Sequence, residues 1–226
     1  MILEICCTSV EDCLVATTAG AHRVELCIDL SVGGLTPEES LIRDSMACGL
    51  PVMVLIRPHA RGFVYTDDQQ QLMLQQCSMA LNAGASGLVI GALTPENEID
   101  GDFMGTIRKT FPDTPLTFHR AIDETVNIEW SFNYLIELGF ERVLCSGGTD
   151  HVTTGIPTLT RLKEKYGQDI AILAGGGLRS TNVLAVMASG VVEIHTSART
   201  ISTGHAFSDV EEIKKILTLI SQPRNE

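Results

Sequence analysis

The chain has 226 residues, a net charge of −12 at pH 7 and a hydrophobic content of 44%, which suit a globular protein with a well-buried core. So acidic a protein repels the phosphates of nucleic acids and of anionic membrane surfaces, and we expect neither as a partner. The first residues, MILEICC, lack the basic group of a signal peptide, and no apolar run reaches the length of a membrane span, so a cytoplasmic location is predicted.

One pattern recurs along the chain: a glycine, one to three further residues, then an apolar segment with the character of a β-strand. It occurs as AGAHRVEL, CGLPVMVL, AGASGLVI, LGFERVLC, YGQDIAIL and SGVVEIH. Each glycine is placed where a preceding helix would end. With the N-terminal strand and one that follows Pro112 and Pro115, the pattern predicts eight strands, near residues 2–7, 23–27, 52–57, 87–91, 115–120, 142–146, 170–174 and 192–197.

Eight strands that alternate with helices predict an α/β protein of the (β/α)8 TIM-barrel type, with residues 1–226 forming a single domain. The main alternative is a doubly wound open sheet. That fold would normally break the even repeat and contain one glycine-rich dinucleotide turn, so the barrel is favoured.

The strand ends are unusually polar for a barrel, and active sites lie where the carboxyl ends of the strands meet. By the two-residue alternation of a strand, Glu4 shares a face with Cys6, and Glu25 shares a face with Cys27. Two interpretations are open: a salt-bridge network in which Arg57 and Arg120 pair with the carboxylates, or a catalytic site, which the number of polar strand ends favours. The catalytic candidates are Glu4, Glu25, Arg57, His119, Arg120 and His195.

The seven cysteines are odd in number and show no zinc-knuckle spacing, so a disulfide framework and a zinc finger are both disfavoured. Cys6 and Cys27 are expected at matching depth on neighbouring strands, which lie about 4.8 Å apart. Two such thiols could bind a soft ion such as Cu(I), form a reducible pair or have no function. The other five cysteines are predicted to be structural.

Two segments near the C-terminus have the composition of an anion site. AGGGL at 174–178 follows the seventh predicted strand, and HTSAR at 195–199 ends the eighth. Barrels that bind phosphate commonly use the loops after these two strands. The candidate anion ligands are Gly175, Gly176, Gly177, Ser197 and Arg199.

Taken together, these segments resemble the CutC family of copper homeostasis proteins over nearly the whole chain. The resemblance is carried by LEIC, AGAHRVELC, GGLTP, IRP, FVYTD, TFHRAID, LGFERVLCSGG, AGGG and EIHTSAR. It implies a cytoplasmic (β/α)8 barrel that is usually a homo-oligomer, is associated with copper tolerance and binds Cu(I) through two cysteines that match Cys6 and Cys27.

One loop departs from the family pattern. After IRP the family typically reads Arg-Gly-Gly-Asp-Phe, whereas this chain has HARGF at 59–63. An acidic residue is therefore replaced, and a functional role for this loop does not carry over from the resemblance.

Two functions compete on these observations. The first is a copper-binding protein that holds Cu(I) on Cys6 and Cys27. The alternative is an enzyme of isomerase or lyase type that acts on a small anionic metabolite, phosphorylated or not, with copper sensitivity as an indirect effect. No lysine ends a predicted strand, so Schiff-base chemistry is disfavoured.

Overall fold

Eight parallel strands close into a barrel in the computed structural model, which describes residues 1–202 and 205–222. Each strand pairs with the next along the chain, and the eighth pairs with the first. The TIM-barrel prediction is therefore confirmed. The strands are β1 (Ile2–Cys7), β2 (Arg23–Leu26), β3 (Val52–Ile56), β4 (Gly87–Ile90), β5 (Leu116–Phe118), β6 (Arg142–Cys145), β7 (Ala171–Ala174) and β8 (Glu193–Thr196).

Helices connect successive strands on the outside of the barrel. They are α1 (Val10–Ala19), α2 (Glu39–Ser45), α3 (Asp67–Asn82), α4 (Gly101–Thr110), α5 (Ile128–Glu137), α6 (Ile156–Tyr166), α7 (Val183–Met187) and α8 (Val210–Ile220). Helix α1 begins at Ser9, whose side chain accepts from the Asp12 amide, and ends at Gly20 with φ of 94°. A positive φ favours glycine, which explains the glycine at this helix end. None of the described helices has the length and apolarity needed to cross a bilayer.

The alternation of each strand separates an outer core from the lumen. Outward-facing side chains such as Leu3, Ile5 and Val24 are fully buried against the helices. Each such burial contributes roughly 1.5–3 kcal/mol. A second, smaller apolar cluster lies inside the barrel and contains Cys6, Cys27, Met53, Leu55 and Val89.

The register between β1 and β2 differs from the expected one. Cys6 lies opposite Glu25, and Glu4 lies opposite Arg23. The amide of Cys27 donates to the carbonyl of Cys7, so Cys27 sits farther toward the mouth than Cys6. The expectation of matching depth was wrong, because strands in a barrel are tilted and staggered relative to one another.

A short hairpin follows the barrel and was not anticipated from the sequence. Strands β9 (Arg199–Ser202) and β10 (His205–Ser208) pair antiparallel before helix α8. The hairpin is anchored to helix α1, because Asp12 accepts from the Ser208 amide and forms an ion pair with Arg199.

Candidate functional site

The lower part of the lumen contains a fully paired charge network, formed by Glu4, Arg23, Arg142, Glu193 and His195 and named here the lumenal ion network. Arg23 donates to Glu4, and its Nη2 lies 2.8 Å from Oε2 of Glu193. Arg142 Nε lies 2.6 Å from the same Glu193 oxygen. His195 Nδ1 lies 2.8 Å from Oε1 of Glu4. Every carboxylate of this network therefore has a cationic partner.

The network stabilises the charged forms of Glu4 and His195. Burial raises the pKa of Glu4, but the hydrogen bond to His195 and the charge of Arg23 outweigh burial and lower it to about 2. Burial lowers the pKa of His195, but the negative charges of Glu25 and Glu4 outweigh burial and raise it. Glu4 and His195 thus stabilise each other's charged form.

The cationic partners differ from those considered from the sequence. Arg57 and Arg120 were considered as partners for the strand carboxylates, but Arg23 and Arg142 fill that role. Both missed residues start a strand, and Arg23 has the same parity as Glu25. Strand parity alone could have indicated Arg23.

Above the network, two thiols and a carboxyl group form a buried cluster. The sulfur atoms of Cys6 and Cys27 are 3.5 Å apart, and Cys6 Sγ is 3.7 Å from Oε1 of Glu25. One ligand atom from each of the three residues lies within 4.8 Å of the others. A β-carbon at Gly34 would lie 3.3 Å from Cys27 Sγ, so this glycine lets the following loop cover the thiol. The two thiols are soft donors, the carboxyl group is a hard one, and all three residues are buried.

The pKa of the Cys6 thiol is well above its usual range. Its contact with the Cys27 sulfur is the main cause, followed by burial and the negative charge of Glu25. The thiol is therefore protonated at neutral pH in the metal-free protein. A metal ion bound here has to displace that proton.

A cavity of about 430 Å³ opens above the thiols at the carboxyl ends of the strands. Leu30, Leu55, Phe63 and Leu144 give it apolar walls. Five of the six catalytic candidates line it together with Cys6, namely Glu25, Arg57, His119, Arg120 and His195. Glu4 lies beneath these residues in the lumenal ion network.

Glu25 has an unusual environment in this cavity. Its Oε2 atom is buried and has no hydrogen-bond partner among the described residues. Burial raises its pKa to about 7, against the opposing charge of His195. The carboxyl group is therefore divided between its two protonation states near neutral pH.

His119 is held as a neutral imidazole with a defined tautomer. Burial and the charge of Arg57 lower its pKa to about 3. Its Nδ1 accepts a hydrogen bond of 3.2 Å from the Ala121 amide, so the proton is assigned to Nε2. That Nε2 atom is buried and has no acceptor in the described part of the chain. The ring fits against the end of β4 because residue 91 is glycine. A β-carbon at this position would lie only 2.7 Å from the imidazole of His119.

Arg120 and Asp123 organise the turn after β6, which was not recognised from the sequence. Asp123 accepts from the amides of Ser146 and Gly148, at 2.9 and 2.8 Å. Arg120 pairs with Asp123 at 2.9 Å and donates to the Ser146 hydroxyl at 2.9 Å. Arg120 is thus half-exposed at the cavity wall with its charge already paired.

The candidate anion residues lie in two segments, one directly after β7 and one directly after β8. An added β-carbon at Gly177 would lie 2.6 Å from His151, and one at Gly176 would lie 3.3 Å from Arg120. Gly175 packs against Leu144 and His195. Ser197 is half-buried, and Arg199 is ion-paired with Asp12.

The loop that departs from the family pattern contributes an aromatic ring to the site. The ring centroid of Phe63 lies 4.9 Å from that of His119. The guanidinium of Arg57 lies 5.0 Å from the centroid of the Phe63 ring. His59 turns away and packs on Tyr65 with ring centroids 5.1 Å apart. The substituted positions therefore lie beside the site, while Phe63 is part of it.

Comparison with known proteins identifies the family. The sequence model of the CutC family matches residues 1–200. The chain belongs to the CutC family. A CutC family protein of Agrobacterium fabrum is 39% identical over 198 residues, covering 87% of this chain and 79% of the relative. The human copper homeostasis protein cutC homolog is 37% identical over 200 residues, covering 88% of this chain and 73% of the relative.

A solved structure agrees with the assignment. The crystal structure of CutC from Streptococcus agalactiae superposes with a TM-score of 0.83 at 30% identity, and the match covers 87% of this chain and 98% of the other. The resemblance drawn from the sequence motifs is therefore confirmed, and the chain is a copper homeostasis family member with a TIM-barrel fold.

Proposed function

We propose that this CutC family protein binds one Cu(I) ion through Cys6 and Cys27. The observation that supports this function is the 3.5 Å separation of the two buried sulfur atoms. Thiolates are the ligands that Cu(I) prefers, and a buried pair excludes water and larger oxidants. Copper is then the cargo of the protein, in keeping with the naming of its human relative.

Binding at this pair is coupled to proton release. The raised pKa of Cys6 keeps the free thiol protonated, so Cu(I) competes with a proton for the sulfur. Glu25 accepts from the Cys6 thiol and lies in the same cluster. The affinity for Cu(I) should therefore rise with pH.

An anaerobic Cu(I) titration against a competing chelator tests the proposal. We expect about one tight equivalent per chain, and the double substitution Cys6→Ser with Cys27→Ser should abolish it. Cys48→Ser is a matched control, because Cys48 is also buried but lies outside the cluster. His119→Ala should also retain the site. Unchanged copper binding in the double variant would eliminate the thiol pair as the site.

We propose a cytoplasmic setting, in which copper is reduced. All seven cysteines are free and buried, which suits a reducing compartment. A single domain over residues 1–226 and assembly into a homo-oligomer stay predictions.

One observation favours a second candidate function, an enzyme that acts on a small anionic metabolite. Besides Cys6, the cavity is lined by two arginines, two histidines and four carboxyl groups, which is far more than a two-thiolate site requires. In this alternative, copper sensitivity is an indirect effect of losing the enzyme. The cellular phenotype of Arg57→Gln distinguishes the two functions, because this variant keeps both thiols and should behave as a deletion only if the cavity is the functional site.

A further inference from the structure

The backbone turn after β6 presents amides that an anion could use, but a side chain of the protein already occupies it. The carboxylate of Asp123 accepts hydrogen bonds from the amides of Ser146 and Gly148. Arg120, which lies beside Gly176 in the turn after β7, is itself paired with Asp123. A cation that is not already paired within the protein is better suited to bind a ligand anion.

Arg57 has the features of such a group. Its Nη1 donates to the carbonyls of Val32 and Gly34 at 2.7 and 3.0 Å, which fixes the plane of the guanidinium. Gly33 permits this approach, since an added β-carbon would lie 3.2 Å from Nη1. Within the described ranges, Nε has no partner and no carboxylate forms an ion pair with Arg57. The edge formed by Nε and Nη2 can bind a carboxylate or phosphate in bidentate fashion. The buried hydroxyl of Tyr65 lies near this guanidinium and also has no hydrogen-bond partner among the described residues.

The burial of Arg57 makes this arrangement costly without an anion. The residue is only 7% exposed. A buried charge with no opposite charge is unfavourable, because the surrounding protein replaces water poorly. Neutral carbonyls satisfy one edge of the guanidinium but do not neutralise it.

His119 supplies a second donor at the same place. The residue is 4% exposed, and its Nε2–H has no acceptor in the described chain. The Phe63 ring contacts both the guanidinium of Arg57 and the imidazole of His119, so the two donors share one wall of the cavity. A cation and a neutral donor side by side recognise an anionic group next to a neutral oxygen.

We propose that the mouth cavity binds a small organic anion, with its carboxylate or phosphate on the Nε–Nη2 edge of Arg57 and an adjacent carbonyl or hydroxyl oxygen on Nε2–H of His119. The assignment rests on the second candidate function and deepens it by naming the substrate class and the groups that bind it. The apolar body of the ligand packs against Leu30 and Leu55, which line the same cavity. The volume of about 430 Å³ sets the ligand's size at that of a small metabolite.

NMR titration of the metal-free, full-length protein tests the proposal with two probes, 2-oxobutyrate for a carboxylate and glycerol 3-phosphate for a phosphate. We expect the side-chain ¹⁵N signals of Arg57 Nε–H and His119 Nε2–H to shift together with one dissociation constant. The tighter probe identifies the head group. Arg57→Gln should weaken binding at least tenfold, and Arg161→Gln, which removes a charge from an exposed ion pair, should leave it unchanged.

His119→Asn is a second variant that protects the test against misfolding. The asparagine oxygen can still accept from the Ala121 amide and cap the 3₁₀ helix Arg120–Glu124, while the Nε2 donor is removed. We expect binding to weaken three- to tenfold with the fold retained. Saturable shifts confined to 175–177 and 197–199 would overturn the Arg57 assignment but leave the second candidate function standing. Absence of saturable binding by both probes would overturn both.

Discussion

The lower lumen and the mouth of the barrel contain the same kinds of charged side chain, but they are arranged differently. In the lumenal ion network, two arginines and a histidine pair with two carboxylates. At the mouth, Glu25, Arg57 and His119 each retain a buried polar atom that has no partner among the described residues. Buried groups that pair internally serve the fold, whereas unpaired ones at a cavity are the groups that a ligand would satisfy.

The comparison also explains why charge alone did not separate structure from function in the sequence. Glu4 and Glu25 occupy equivalent Glu-x-Cys positions on adjacent strands. Glu4 lies opposite Arg23 on the neighbouring strand and has a pKa of about 2, whereas Glu25 lies opposite Cys6 and has a pKa of about 7. The stagger between strands, rather than the local motif, decides which of the two is neutralised.

The largest effect is expected from breaking the lower network. Arg23→Met removes the cation that two carboxylates share, and both are then buried without that partner. We expect a loss of about 3–5 kcal/mol in the free energy of unfolding, measured by urea denaturation at pH 7. Arg43→Met is the control, because the Arg43–Glu39 pair is about half-exposed and should change stability by less than about 0.5 kcal/mol. Equal effects of the two variants would contradict a structural role for the network.

Much of the fold and part of the site could be predicted from the sequence. The glycine repeat indicated six strands, and the N-terminal strand and the strand after the prolines completed the eight. Alternation placed the polar side chains on the lumenal face, and both inferences follow from local geometry. Register does not. Three features of the site depend on how the strands are staggered. They are the depth of Cys27 relative to Cys6, the pairing of Arg142 with Glu193 and the hydrogen bonds from the β6 turn to Asp123. Residue spacing within one strand carries no information on that stagger.

A second prediction concerns the loop that covers the thiol cluster. Gly34 has φ of +92°, and an added β-carbon would lie 2.8 Å from Leu55 and 3.3 Å from Cys27. Gly34→Ala therefore combines backbone strain with overpacking, and we expect a loss of about 2–4 kcal/mol of stability by thermal or urea unfolding. Gly62→Ala is a matched control with φ of +83° and no atom within 4 Å of the added β-carbon. It should show the strain alone, about 1 kcal/mol, and a cost as large as that of Gly34→Ala would refute the close packing over the thiols.

The smallest effect should appear as a pH dependence that belongs to the mouth. His119 has an ordinary pKa of 6.5 when unfolded and about 3 when folded, so below pH 6.5 the unfolded chain binds a proton that the folded protein does not. Stability from this residue is complete above pH 6.5 and falls by about 1.4 kcal/mol per pH unit on acidification, or about 2 kcal/mol by pH 5. The difference in unfolding free energy between the wild type and His119→Asn, measured by urea denaturation at several pH values, isolates this contribution from Glu25, whose raised pKa acts in the opposite direction. A difference that does not change between pH 6.5 and 5 would mean that the imidazole is hydrated, and that the mouth lacks the dry, unpaired donor that sets it apart from the lower lumen.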